Sequence, residues 1–85
     1  MHPPVRQWPE DSTEAKVYRA VESVPTVETN DRNRLGYYVF LYVQGEFESL
    51  SQAVKISQTR LLVPSEEAVK TIGANLKEAG IAVGS

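Results

Sequence analysis

Gly36-Tyr37-Tyr38-Val39-Phe40-Leu41-Tyr42-Val43-Gln44-Gly45 is the stretch on which the fold turns. It is an unbroken run of aromatic, β-branched and aliphatic residues closed by glycine at either end, the composition of a strand rather than of a surface helix. On a strand Tyr37, Val39, Leu41 and Val43 share one face, and Tyr38, Phe40 and Tyr42 share the other. Both faces are apolar, which predicts a central strand covered on each side. One face belongs to the domain's own core. The aromatic stripe Tyr38, Phe40 and Tyr42 on the other is the leading candidate for a binding surface.

Outward from this run the chain supplies further elements. Towards the N-terminus, Asp11 and Glu14 have capping-box spacing, and Val17, Ala20, Val21 and Val24 recur at helical intervals before Pro25. This predicts a helix over about Ser12 to Ser23; a strand over the same residues would have its apolar face interrupted by Arg19. Pro25 to Thr29 reads as a short strand, reversed by the turn chemistry of Asn30-Asp31-Arg32-Asn33. Beyond the run, Gln44, Gly45 and Glu46 supply a second reversal. Phe47 to Ser57 then alternates, with Leu50, Val54 and Ile56 on one side, and Thr59 to Val63 closes a third hairpin through Ser57 and Gln58.

Pro64 and Ser65 open a second helix, with Glu66 and Glu67 in its first turn. Its apolar stripe is Val69, Ile72, Gly73, Leu76 and Ala79, and Gly80 ends it. Gly73 on that stripe suggests close backbone approach to the sheet. The expected architecture is α+β: a three- to four-stranded antiparallel meander with an N-terminal helix and a C-terminal amphipathic helix.

The chain has 85 residues, 41% hydrophobic and 24% charged, which suits one small globular domain. Residues 1–10, with Pro3, Pro4 and Pro9, read as an extended arm, and residues 11–85 as the domain. Trp8 in that arm carries a large apolar area that must dock on its own domain or on a partner. Nine basic and eleven acidic residues leave a net charge of −2, so no global attraction to nucleic acid or anionic membrane arises. There is no cysteine. With no signal-peptide pattern and no apolar run near the roughly 20 residues that span a bilayer, the expected compartment is the cytoplasm.

The single histidine, His2, sits beside two prolines near the end of the chain, a poor place for a positioned base, and one histidine without cysteine cannot build a transition-metal site. The acid pairs Glu46 with Glu48 and Glu66 with Glu67 are explained by solubility and helix capping. The five glycines form neither a phosphate loop nor a dinucleotide fingerprint. No catalytic residue, metal or cofactor is expected, and an enzyme is the least favoured class.

A meander followed by one amphipathic helix is similar in topology to single-stranded nucleic-acid-binding domains of the PC4 and PUR type, and Thr59-Arg60-Leu61-Leu62-Val63-Pro64 leading into a helix resembles how those domains end. The acidic Glu46-Phe47-Glu48 stands where such a family would place positive charge.

Two readings follow. In the first, a small non-enzymatic regulator or inhibitor binds a protein partner, and itself as a homodimer, through the aromatic sheet face and Trp8. In the alternative, Tyr38, Phe40 and Tyr42 stack on the bases of a single strand while Arg32, Arg34, Lys55 and Arg60 contact its phosphates.

Overall fold

In a computed structural model, described here over residues 12–82, the chain is built from four helices: α1 Thr13–Val21, α2 Thr29–Val43, α3 Leu50–Ser57 and α4 Ser65–Glu78. The expected α+β meander is not formed. The described residues contain no sheet, only one isolated antiparallel bridge between Thr26 and Leu61.

Residues 36–43 of the run that reads as a central strand form the C-terminal half of the longest helix, and Gln44 and Gly45 leave it. Its N-terminal turn is the supposed reversal at Asn30 to Asn33: the Glu28 N–H donates to the Asp31 carboxylate at 3.2 Å, so Asp31 spends its turn chemistry on capping α2. From there Asp31, Leu35, Val39 and Tyr42 are buried at helical spacing. Their period is masked because the flanks of α2 are apolar as well. α2 packs against α1 on one side and α3 on the other, so Phe40 and Val43 are also partly buried against the core. A helix covered on both flanks loses the polar interruptions by which periodicity is recognised.

The segment from 47 to 57 fails as a strand for a related reason. Ser49 caps α3 by accepting the Gln52 N–H at 3.1 Å, and the Gln52 side chain returns the bond by accepting the Glu48 N–H at 2.9 Å. Leu50, Ala53, Val54 and Ser57 then face inward, while Ile56, placed with Leu50 and Val54 by the alternating reading, is exposed. Gln58 ends the helix in the left-handed region at φ 53°. The expected strands at 25–29 and 59–63 are reduced to the Thr26–Leu61 bridge, held by Val27 N–H to Arg60 O and Leu62 N–H to Pro25 O, each 3.0 Å.

The two expected helices are present. α1 is capped by Ser12, whose hydroxyl accepts the Ala15 N–H at 3.2 Å; Asp11 lies outside the described residues. α4 buries Ala68, Ile72 and Leu76, with Gly80 at φ 83° beyond its end. Gly73 does not mark a close approach, since a Cβ there would meet only the Leu50 Cδ2 at an ordinary 3.8 Å. Gly36 does: a Cβ would lie 2.6 Å from two ring carbons of Tyr18, so glycine lets α1 and α2 meet.

The helices form a closed ring in which the backbone of α1 runs close to α2 and α4 and that of α3 close to α2 and α4, while the diagonal pairs stand further apart across the shared core. Val17, Val21, Val24, Leu35, Val39, Ile72 and Leu76 fill its centre. Asn75 of α4 ties the ring closed by donating to Ala20 O at 2.9 Å and Ser23 Oγ at 3.0 Å.

Candidate interaction surface

Helical geometry redistributes the aromatic residues of α2. Tyr38 and Phe40 lie about 200° apart around a helix axis, so the stripe of Tyr38, Phe40 and Tyr42 does not exist as one face. Tyr38 is half-buried, Phe40 packs partly against the core, and Tyr42 is a core residue at 8% exposure. Tyr37, assigned to the inward face on the strand reading, is instead 51% exposed. Helical spacing from Asp31 and Leu35 was the signal that could have placed it outside.

Tyr37 anchors an accessible aromatic face. Its ring meets Tyr38 edge-on with centroids 5.5 Å apart and planes at 75°, and Tyr38 in turn lies 6.1 Å from Phe47 at 41°. Phe47 is brought there by the α2–α3 turn, where Gly45 adopts φ 94° and the Glu46 N–H donates back to Leu41 O at 2.9 Å. On the α1 side the face is backed by Tyr18 over Gly36. Burial, and then the neighbouring Tyr37, push the Tyr18 hydroxyl above its ordinary value. Exposed Glu46 and Glu48 flank Phe47 on the turn.

The four basic candidates do not converge on this face as free cations. Arg34 and Arg60 both reach Asp31, at 3.2 Å each, and Arg60 also pairs with Glu28 at 3.4 Å. The Asp31 carboxylate has no accessible surface of its own, yet its arginine partners are themselves about half exposed, so water lies one side chain away. Burial pushes this carboxyl up, but hydrogen bonds from Arg60 and from the Glu28 N–H, together with the Arg60 charge, outweigh it and hold the group below the usual carboxylate range. The same pairing raises Arg60. Arg32 is half-buried with its Nε enclosed and without a hydrogen-bond partner. Lys55 is exposed on α3, beside Ile56 in a shallow cleft. Trp8 lies outside the described residues.

A larger open cleft of about 630 Å³ lies between the C-terminal halves of α1 and α4, bordered by Lys16, Arg19, Asn75 and Glu78. Both donors of the Asn75 amide are spent on α1 and the segment after it, so the cleft's central polar group holds the fold together rather than facing a ligand. Among the described residues no three His, Cys, Asp or Glu side chains stand together as a metal site, and no helix is long and apolar enough to cross a membrane.

Comparison of the chain with protein-family models, with curated proteins and with solved structures finds no match.

Proposed function

We propose that this domain is a non-catalytic module that binds a protein partner through the tyrosine face of α2. The observation that carries the reading is Tyr37, a half-exposed aromatic on the longest helix, held edge-on by Tyr38, which in turn packs against Phe47. Tyrosine is enriched at protein interfaces because it offers a large apolar area, a polar tip and few rotatable bonds. A ring already fixed by neighbours loses little further entropy when a partner covers it. The sheet face and the PC4-like arrangement play no part in this reading, because the aromatic residues sit on a helix.

Affinity capture from the source cell, with and without nuclease, tests it. A protein retained after nuclease treatment, lost on Tyr37→Arg and kept on Lys70→Glu of α4 is the expected result. Binding unchanged by Tyr37→Arg, or abolished by nuclease, would overturn it.

A further inference from the structure

We propose that the partner segment received by the tyrosine face is basic, with an arginine side chain laid over Tyr37 and its guanidinium drawn towards Glu46 and Glu48. The inference rests on the reading of that face as a docking surface, and adds the chemistry of the segment that docks.

The first observation is the field at this end of α2. A helix gathers partial negative charge at its C-terminus, where a cation is favoured. The last turn of α2 carries no basic residue, so nothing on the helix itself answers that charge. The turn that follows adds Glu46 and Glu48, both exposed, and neither belongs to an ion pair among the described residues.

The second is placement. Leu41 stands one turn beyond Tyr37, about 6 Å along the axis, and its carbonyl accepts the Glu46 N–H at 2.9 Å. Phe47, between the two acids, reaches Tyr38 with ring centroids 6.1 Å apart. The acids therefore adjoin the rings. A tyrosine ring attracts a cation over its face, arginine more often than lysine. The arginine stem can lie on such a ring while its planar fork matches a carboxylate beyond it.

The third is that the chain's own cations leave this role open. Arg34, one turn before Tyr38, is held 3.2 Å from Asp31, and Arg32 is half-buried. Lys55 borders the same shallow cleft as Glu48 but makes no ion pair with it. On α1, Glu14 stands one turn before Tyr18, whereas Lys16, Arg19 and Glu22 border the cleft towards α4. Glu46 and Glu48 repel phosphate, so the surface suits a basic protein segment and not a nucleic acid.

Nuclear magnetic resonance titration of the isotope-labelled full-length chain tests this. The probe is a short capped peptide of alternating glycine and arginine, and the control is the same peptide with uncharged citrulline for each arginine. The arginine peptide should shift the amides of Tyr37, Tyr38, Leu41, Glu46, Phe47 and Glu48, bind severalfold more weakly as salt is raised, and outcompete the citrulline peptide. Glu46→Gln with Glu48→Gln keeps the backbone bonds of the turn and should weaken binding severalfold, as should Tyr37→Ser. Glu66→Gln with Glu67→Gln removes the same charge from α4 and should leave binding unchanged. Shifts at these amides that do not depend on arginine, no shifts there at all, or equal weakening by the α4 pair would overturn the inference. The two proposals separate cleanly. Partner capture lost on Tyr37→Arg but indifferent to Glu46→Gln with Glu48→Gln sinks only the arginine assignment, and peptide binding that follows every variant with capture indifferent to Tyr37→Arg sinks only the partner reading.

Discussion

A methyl group added at Gly36 would lie 2.6 Å from Cδ1 and Cε1 of Tyr18, far inside contact distance, whereas one added at Gly73 meets a single methyl carbon at 3.8 Å. Replacing a mid-helix glycine by alanine gains about 0.5–1 kcal/mol of intrinsic helix stability. Overpacking costs about 1–3 kcal/mol. The two substitutions should therefore have opposite signs: Gly73→Ala raises the urea midpoint, and Gly36→Ala lowers it, with a net loss of up to about 2.5 kcal/mol. Most of that loss should vanish in a Tyr18→Ala background, because the ring that must move is then gone. The sequence signalled the reverse assignment, since Gly73 stands on an amphipathic stripe and Gly36 at the edge of an apolar run. Which glycine is sterically required depends on the residue it meets across the interface. Tyr18 is eighteen positions from Gly36, and no local pattern connects them.

At the scale of elements, both terminal helices could be read in advance because their polar faces are interrupted at the helical period and proline or glycine marks their ends. α2 and α3 could not. Tyr37, Tyr38 and Leu41 fill positions on α2 that a lone surface helix would give to charges, so seven consecutive apolar residues imitate a buried strand. What distinguishes the helix lies just upstream, in the Glu28–Asp31 cap and the polar turn that continues into Leu35. Asp31 also accepts from Arg34 of its own helix and from Arg60 on the 58–64 connection, and Thr59 donates to its carbonyl at 3.3 Å. Its carboxyl pKa is depressed in the folded chain, so the stabilisation is fully present above the ordinary carboxylate pKa of about 4 and drains away as pH falls below it. Thermal melts from pH 6 down to pH 2 should therefore show a steep fall at the acid end. Asp31→Asn should lower the melting temperature at pH 6 and flatten that fall; an equally steep fall in the variant would assign the acid sensitivity elsewhere. The candidate surface was legible only in part. Tyr38 belongs both to the expected stripe and to the face described on α2, but the exposure of Tyr37 follows from helix geometry, and the engagement of Arg34 and Arg60 by Asp31 follows from tertiary contact.

For the whole molecule the closed ring matters more than any single helix. α1 has nine residues and α3 eight, below the roughly 12–15 at which an isolated helix becomes even marginal in water, so each depends on its two neighbours. Unfolding should be one cooperative step, with far-UV and tyrosine near-UV circular dichroism tracing the same transition in urea; separate midpoints would contradict the ring. Leu35, wholly buried at the centre of α2, is the test of the shared core. Leu35→Ala should cost about 2–5 kcal/mol, a large share of the roughly 5–15 kcal/mol that holds a domain of this kind together. Tyr37→Ser, on the outer face of the same helix, should cost no more than about 1.5 kcal/mol, the worth of its edge-on contact with Tyr38, which separates a lost contact from a lost fold.

Gln58 leaves headroom in this protein. A side chain held at φ 53° forgoes about 1 kcal/mol that glycine would not, and the position closes α3 without belonging to the aromatic rings of α2. Gln58→Gly should raise the melting temperature, giving a sturdier background in which disruptive surface substitutions can be introduced and their effects on recognition weighed without collapse of the host.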